Sequence, residues 1–421
     1  MAGPLHLIVN PVAGHGKASE FVNSTVLPIL ENFSTQYEIH TTTSPGNAGV
    51  IGKRLASTQG NGTVQVAIVG GDGTFHEFIE GVNQIEGVRW EVVLFPFGTA
   101  NALFSSLFPP SGSLDKYQAV IDTLPSAPVQ ETAHQLSSLF SFLSKSSPVN
   151  LPITRTTITS TSEQHHEKIV SHVLLSTSLH ASILHDSEAL RETHPGVERF
   201  KNAAQQNASK LFYATVSLES GANVEQWDPR IDKWVQPFTT TQPSEGEGVV
   251  RIEGPFSYFL STSTVDRLEP TFVISPLTQL GQFNDAQGYV YVTIIRPLRD
   301  PLITTTQPEE RKAKLSARAF EVVGQAYANG NHVNLTLPLK GDKLKLELEN
   351  KGEGEPVVEV FRCTSFAWTP SSPSEGEYEG LERGNERLVC ADGALHTIPQ
   401  GGVAMVKLQE KRGDQGFYVY T

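Results

Sequence analysis

Cysteine is almost absent: Cys363 and Cys390 are the only two in 421 residues. So few thiols exclude a disulfide framework and a cysteine-rich metal centre, and they fit a chain kept in a reducing compartment. Basic charge is also scarce. Thirty-two Lys and Arg stand against 45 Asp and Glu, a formal net charge of −13. That balance argues against a general nucleic-acid binder and against constant attachment to anionic lipid, both of which need clustered cations. Long hydrophobic runs are missing as well. The best stretch, 92–108, is interrupted by Pro96, Gly98 and Asn101, whereas a spanning helix needs roughly 18 uninterrupted apolar residues. The N-terminus lacks the basic start and apolar length of a signal peptide. These absences predict a cytoplasmic chain whose membrane contact is peripheral and transient; they do not speak to its oligomeric state.

What is present is a chain long enough for two cores, since single cores stop growing below this length. From the start to about Leu107, short apolar runs alternate with helical stretches. Strands are expected from Leu5 to Val9, Tyr37 to His40, Val66 to Val69 and Val92 to Phe95. Helices are expected from Ala18 to Leu30, from Gly46, from Phe75 to Val82 and from Asn101. That alternation predicts βαβ units and a parallel sheet. Beyond Pro148 the character changes. Apolar runs from Ile169 to Ser176, Val249 to Ile252, Thr271 to Ile274, Tyr289 to Ile295, Val357 to Phe361 and Arg387 to Cys390 predict a β-sandwich. A helix is expected between them, from Glu188 to Leu211. The reading is an α/β domain over 1–148, a β-sandwich domain over 149–403, and closing strands in 404–421 that can return to the first domain.

The sharpest motif is Gly70-Gly71-Asp72-Gly73-Thr74, after an apolar strand and before a helix. Glycines let backbone amides approach a phosphate at a helix N-terminus. A plain capping box over Thr74 to Glu77 explains part of the pattern, but not three glycines around an aspartate. A second turn, Asn10-Pro11-Val12-Ala13-Gly14-His15-Gly16-Lys17, and a third, Phe97-Gly98-Thr99-Ala100-Asn101, also follow strands. The Walker ending Gly-Lys-Ser/Thr is absent from the second turn, which argues against a Ras-type NTPase. In an open α/β sheet all such loops emerge on one edge, so the three turns converge on one crevice. His165, His166, His172, His180 and His185 crowd one region, but without His-Glu-x-x-His spacing or a cysteine partner, and no metal site made by the protein alone is expected.

The segments NPVAGHGKA at 10–18, VGGDGTFHEFIEGV at 69–82 and FPFGTANALF at 95–104 resemble the diacylglycerol kinase catalytic domain, in the branch containing sphingosine kinases. More thinly, the stretch at 174–200, the segment from Ile274 to Leu298 and CADGALHTI at 390–398 resemble later parts of that family. The resemblance implies a nucleotide-binding α/β domain, like that of NAD kinases and diacylglycerol kinases, followed by a β-sandwich lipid domain. It implies ATP with Mg²⁺, and a sphingoid base or acylglycerol as the lipid. Carried over, Asn10, Pro11, Gly14, Gly16, Lys17, Thr42, Gly70, Gly71, Gly73, Thr74, Gly98, Thr99 and Asn101 would line the nucleotide. Arg191 and Arg199 would approach its phosphates, and Asp392 with Gly393 would reach it from the late turn. Asp72 would act at the chemistry, as the base or as a Mg²⁺ partner. Asp186 and Ser178 would meet the substrate head group, and Leu174, Leu175, Leu179, Ile183 and Leu184 would line a lipid tunnel or simply fill core.

The chain departs from the family at Ala100, where the turn usually has a second glycine, at Ala394, where the late turn usually has glutamate, and at 284–288, where an Asp-Gly turn is interrupted. The Gly-Gly-Asp-Gly-Thr turn and two-domain plan, which NAD kinases share, keep an NAD kinase-like enzyme in view, and Ala100 and Ala394 keep in view a nucleotide-binding or scaffold homologue with weak catalysis.

Overall fold

The computed structural model describes residues 3–60, 62–160, 166–194, 198–219, 224–238, 249–278, 288–339, 346–372, 378–409 and 413–421. The interrupted turn at 284–288 and His165 therefore fall wholly or mostly outside the described residues.

The first domain opens with β1 (Leu5–Val9), whose five residues are all buried. A helical run follows, made of α1 (Ala18–Phe21) and α2 (Leu27–Asn32). Pro28 has no N–H to give the carbonyl four residues back, and a π-helical turn at Val22–Val26 joins the two pieces. Then come β2 (Tyr37–Thr41), α3 (Asn47–Gln59), β3 (Gly62–Gly70), α4 (Asp72–Val82), β4 (Val88–Pro96) and α5 (Ala102–Leu107). The strands stand in the order β2-β1-β3-β4 and all pair in parallel. Strand order therefore reverses at β1, which opens a crevice between the carboxyl ends of β1 and β3. On the far side of β4 the strand Gly416–Val419 adds in parallel, and Val149–Asn150 closes the sheet antiparallel to it. The last strand is tied down by Tyr420 N–H donating to Val92 O and by the Ser138 hydroxyl donating to Tyr420 O.

The second domain is two antiparallel sheets of six and eight strands. Val216, Ile252, Phe366 and Trp368 of the smaller sheet pack against Phe259, Val292, Ile294 and Phe361 of the larger. The strand Thr154–Thr159 in the smaller sheet alternates buried and half-buried residues, the pattern of a sheet with one covered face. Central strands of the larger sheet, Tyr258–Thr262 and Val290–Ile295, are buried throughout. Their second face packs on the first domain, because Tyr258, Leu260 and Ile295 share one core with β1, β3 and α4. Both cysteines are buried free thiols, and burial pushes each up to about 12. Among the described residues no helix is long and apolar enough to cross a membrane.

Several local expectations are corrected. The apolar run from Ile169 to Ser176 is two strands, His166–Ser171 and Leu174–Thr177. The amides of His172 to Leu174 turn to the Asp392 carboxylate, which interrupts the run. The helix expected from Glu188 to Leu211 is instead Ser178–Ala189 followed by Glu198–Asn207. From Thr271 to Ile274 there is only an isolated bridge between Glu269 and Phe272. A helix with no counterpart in the sequence reading, Pro308–Gly324, is held by a buried ion pair between Arg318 Nε and Asp300 Oδ2 at 2.7 Å.

Candidate active site

The first turn leaves β1 at Asn10, whose N–H donates to Val69 O on β3 at 3.0 Å. The Asn10 amide group also donates to Thr74 Oγ1 at 3.1 Å, and its carbonyl accepts from Val12 N–H at 3.2 Å. Gly14, His15 and Gly16 follow with φ of 60°, 56° and 83°. Gly14 N–H donates to Phe97 O at 2.7 Å, and a Cβ on Gly14 would lie 2.6 Å from the Phe97 ring. Only glycine fits where the first turn crosses the third. Pro11 is half-buried, Lys17 is exposed, and Thr42 is buried beside Asn10 with its N–H donating to Val9 O.

The second turn closes on itself and on the third. Gly71 is extended and caps α4; a Cβ there would lie 2.5 Å from Gly98 Cα. Asp72 begins α4, yet its carboxylate serves another helix: it accepts from Ala102 N–H at 2.7 Å and Leu103 N–H at 3.1 Å, the first amides of α5. Asn101, the nominal cap of α5, is left-handed and spends its side chain on Gly98, accepting from its N–H at 2.7 Å and donating to its O at 2.9 Å. Asp72 is thus a cap delivered across the crevice. Burial pushes its carboxyl up, against the opposing pull of His172 and the two amides. Gly73 lies open on the first turn of α4, with nothing within 4 Å of the place a Cβ would take. First-turn amides of a helix have no partner within it, and with the helix dipole they favour an anion. Thr99 is exposed beside them.

Candidates from the second domain are arranged differently. Asp392 sits in the turn between Leu388–Ala391 and Ala394–Thr397, at φ 48°, with Gly393 next at 95°. Its carboxylate is turned inward and accepts from the N–H groups of His172, Val173 and Leu174 at 2.8 to 2.9 Å. The Nδ1 atoms of His76 and His172 lie 3.0 and 2.7 Å from Asp392 Oδ2. Burial would push this carboxyl up, but the two histidines outweigh it and hold it far below the usual carboxylate range. Asp186 keeps 32% of its side chain exposed, accepts from Asn207 Nδ2 at 2.7 Å and pairs with His185 at 2.8 Å. Ser178 is wholly buried at φ 55°, with its hydroxyl against Thr177 Oγ1. Arg191 pairs with Glu188 at 2.8 Å; Arg199 lies 3.8 Å from the same carboxylate and stacks over Phe200. Leu174, Leu175 and Leu179 are core residues, while Ile183 and Leu184 are partly buried against the core.

Four non-glycine residues in left-handed conformation, His15, Asn101, Ser178 and Asp392, fall in these segments, a placement typical of functional sites. A cavity lined by Val82, Val88, Trp90, Leu151, Ile153 and Phe417 lies at the opposite end of β4 and takes no part in the crevice. Sequence reasoning missed the bridge from Asp72 to α5 and the grouping of His76 and His172 on Asp392. A short acid ahead of a helix start was visible for the first; nothing local marked the second.

Residues 4–130 match the family model described as the diacylglycerol kinase catalytic domain. Curated relatives include human sphingosine kinase 2, 29% identical over 120 residues that cover 26% of this chain and 18% of that protein. Sphingoid long-chain bases kinase 1 of Arabidopsis thaliana is 33% identical over 103 residues, covering 23% and 13%. The matched stretches span less than a third of each curated relative. A diacylglycerol kinase crystal structure from Bacillus anthracis superposes at TM-score 0.49 with 12% identity, covering 99% of this chain and 97% of that one. A second Bacillus anthracis structure reaches 0.50 at 13% identity with the same coverage, a likeness of fold alone.

Proposed function

Taking residues 4–130 as a domain of the diacylglycerol kinase catalytic family, we propose that the chain is an ATP-dependent lipid kinase acting on a hydroxyl of a sphingoid base or an acylglycerol. The observation that carries this reading is the cross-bracing of three glycine turns at the carboxyl ends of β1, β3 and β4, with the open first turn of α4 in their midst. Phosphoryl transfer asks mainly for positioning and charge neutralisation. The amides at Gly71 to Gly73 and the dipole of α4 would take up phosphate oxygens, with Asn10, Gly14, Gly16, Lys17, Thr42, Thr74, Gly98 and Thr99 walling the nucleotide.

Asp72 would orient the lipid hydroxyl and accept its proton as the oxygen attacks the γ-phosphorus and ADP leaves. Two amide bonds leave lone pairs free on its oxygens, and burial makes it a better base than an exposed aspartate. In the alternative role, Asp72 would instead be the chain's oxygen partner for the Mg²⁺ carried by the ATP phosphates, an ion that would neutralise charge on the transferred group. The half-exposed Asp186, already a hydrogen-bonded carboxylate, would pair with the ammonium of a sphingoid base.

A second reading draws on the inward-turned Asp392 and on Ala394 beside it: a nucleotide-binding homologue with weak transfer. Labelled γ-phosphate transfer from Mg-ATP to sphingosine, dihydrosphingosine, diacylglycerol, monoacylglycerol, ceramide and NAD, run beside Asp72→Asn, separates the cases. A lipid product lost in the variant is the expected outcome. Phosphorylated NAD would move the reading to an NAD kinase-like enzyme, and ATP binding with no product at all would favour the weak homologue.

A further inference from the structure

Three ligand-type side chains that lie far apart in the sequence meet at the seam between the domains. His76 comes from α4, His172 from the break between two strands, and Asp392 from the late turn; one ligand atom of each lies within 4.8 Å of the others. All three side chains are buried, the carboxylate and the His172 ring completely and His76 to 10% exposure. Both imidazoles present Nδ1 to the same oxygen, Asp392 Oδ2. His172 Nδ1 makes a buried ion pair with that oxygen at 2.7 Å, while its Nε2 is buried without a hydrogen-bond partner. Two ring nitrogens and a carboxylate oxygen thus converge at one buried point. The carboxylate is meanwhile held rigid by three backbone N–H groups, the kind of outer support that fixes a metal ligand.

We propose that His76, His172 and Asp392 bind a divalent ion of the zinc class at the domain seam. Two imidazoles and one carboxylate are ligands for Zn²⁺, which accepts nitrogen and oxygen donors at four-coordinate sites, and not for Mg²⁺, which asks for oxygen. The ion is therefore distinct from the one that accompanies ATP, and the inference stands apart from the kinase reading. It ties α4 to two strand connections of the second domain, through a residue four places after Asp72 on the same helix face. Asp392 supplies one negative charge, and Asp72, Glu77 and Glu80 lie near enough for their charges to act on the cluster. A second grouping, His6, Glu38 and His40 on β1 and β2, is the weaker one, because the Arg54 guanidinium sits 3.2 Å from His40 Nδ1 and repels a cation.

The test is Zn²⁺ titration of chelator-stripped full-length chain, read by native mass spectrometry, in wild type and in His40→Ala, His76→Ala and His172→Ala. One ion per chain is expected in wild type and His40→Ala, with affinity lowered at least ~10-fold in the other two, as befits loss of a ligand. Co²⁺ added to His40→Ala gives visible d–d bands if the site is real, and this decides the matter even where an alanine variant fails to fold. No Zn²⁺ uptake by the folded chain, undiminished uptake in His76→Ala, or no cobalt bands in His40→Ala overturns the proposal.

Discussion

The contact between Gly71 and Gly98 offers a quantitative test of how the crevice is built. Alanine at Gly71 would set its Cβ 2.5 Å from Gly98 Cα and 3.2 Å from Gly98 N. Ordinary contact begins near 3.4 Å, so the two turns must separate by about 1 Å, and the obstruction is backbone that no rotamer change relieves. Overpacking of this kind costs about 1–3 kcal/mol, and a 1 Å displacement of positioning groups costs on the order of 10²-fold in rate. Gly73→Ala is the matched control, since its Cβ meets nothing within 4 Å. It should leave the fold unchanged or stabilise it by up to about 1 kcal/mol, because alanine outranks glycine within a helix. It should nevertheless weaken Mg-ATP binding, because the new methyl stands where a phosphate would rest. Urea denaturation gives the stability of each variant, and calorimetric titration with Mg-ATP gives the affinity. Gly71→Ala with wild-type stability would refute the packing argument. Gly73→Ala with wild-type ATP affinity would refute the phosphate cradle.

Further outcomes can be stated from the same structure. Asp300→Ala takes the buried one of the two carboxylates paired with the Arg318 guanidinium, leaving the half-exposed Glu321, and should cost up to about 3–5 kcal/mol in urea denaturation; a loss below about 1 kcal/mol would show that Glu321 and Leu346 O suffice. His332 is buried, donates Nε2–H to Ile274 O and is pushed down to about 4 by burial. Its folded pKa lies below the unfolded value of 6.5, so the unfolded chain binds the extra proton between pH 6.5 and 4. His332 should take about 3 kcal/mol from stability as pH falls across that window, buried His180, also pushed down to about 4, should act likewise, and His332→Gln should remove only its own share of the fall. Asp186→Ala should raise KM for a sphingoid base while leaving KM for an acylglycerol unchanged, since only the former carries a cation; equal effects on both would remove Asp186 from head-group recognition.

The first domain was legible because its signals are local. Leu5 to Val9 reads as a buried strand and is one, and the glycine turns mark where β1, β3 and β4 end. The helix Pro308–Gly324 was legible too, with proline in its first turn and Glu309 and Glu310 behind it, but a β-rich expectation masked it. The run from Ile169 to Ser176 failed for a different reason: Ser171-His172 is only a short polar step in it, and what turns the chain there is a carboxylate more than 200 residues away. The contacts of that carboxylate, Asp392, were likewise not legible. Sequence places it in an Asp-Gly turn near the nucleotide, whereas folding turns it inward to three amides and two imidazoles.

By itself, then, the sequence determined the α/β character of the first domain, the β-rich character of the second and the glycine turns, because periodicity and left-handed backbone are properties of neighbouring residues. Tertiary structure alone decided which charges face the crevice. Asp72 caps a helix that begins thirty residues later, and His76 and His172 share one oxygen. A side chain's partner depends on which strands and helices pack together, and that packing is fixed by burial over the whole chain, which no local pattern encodes.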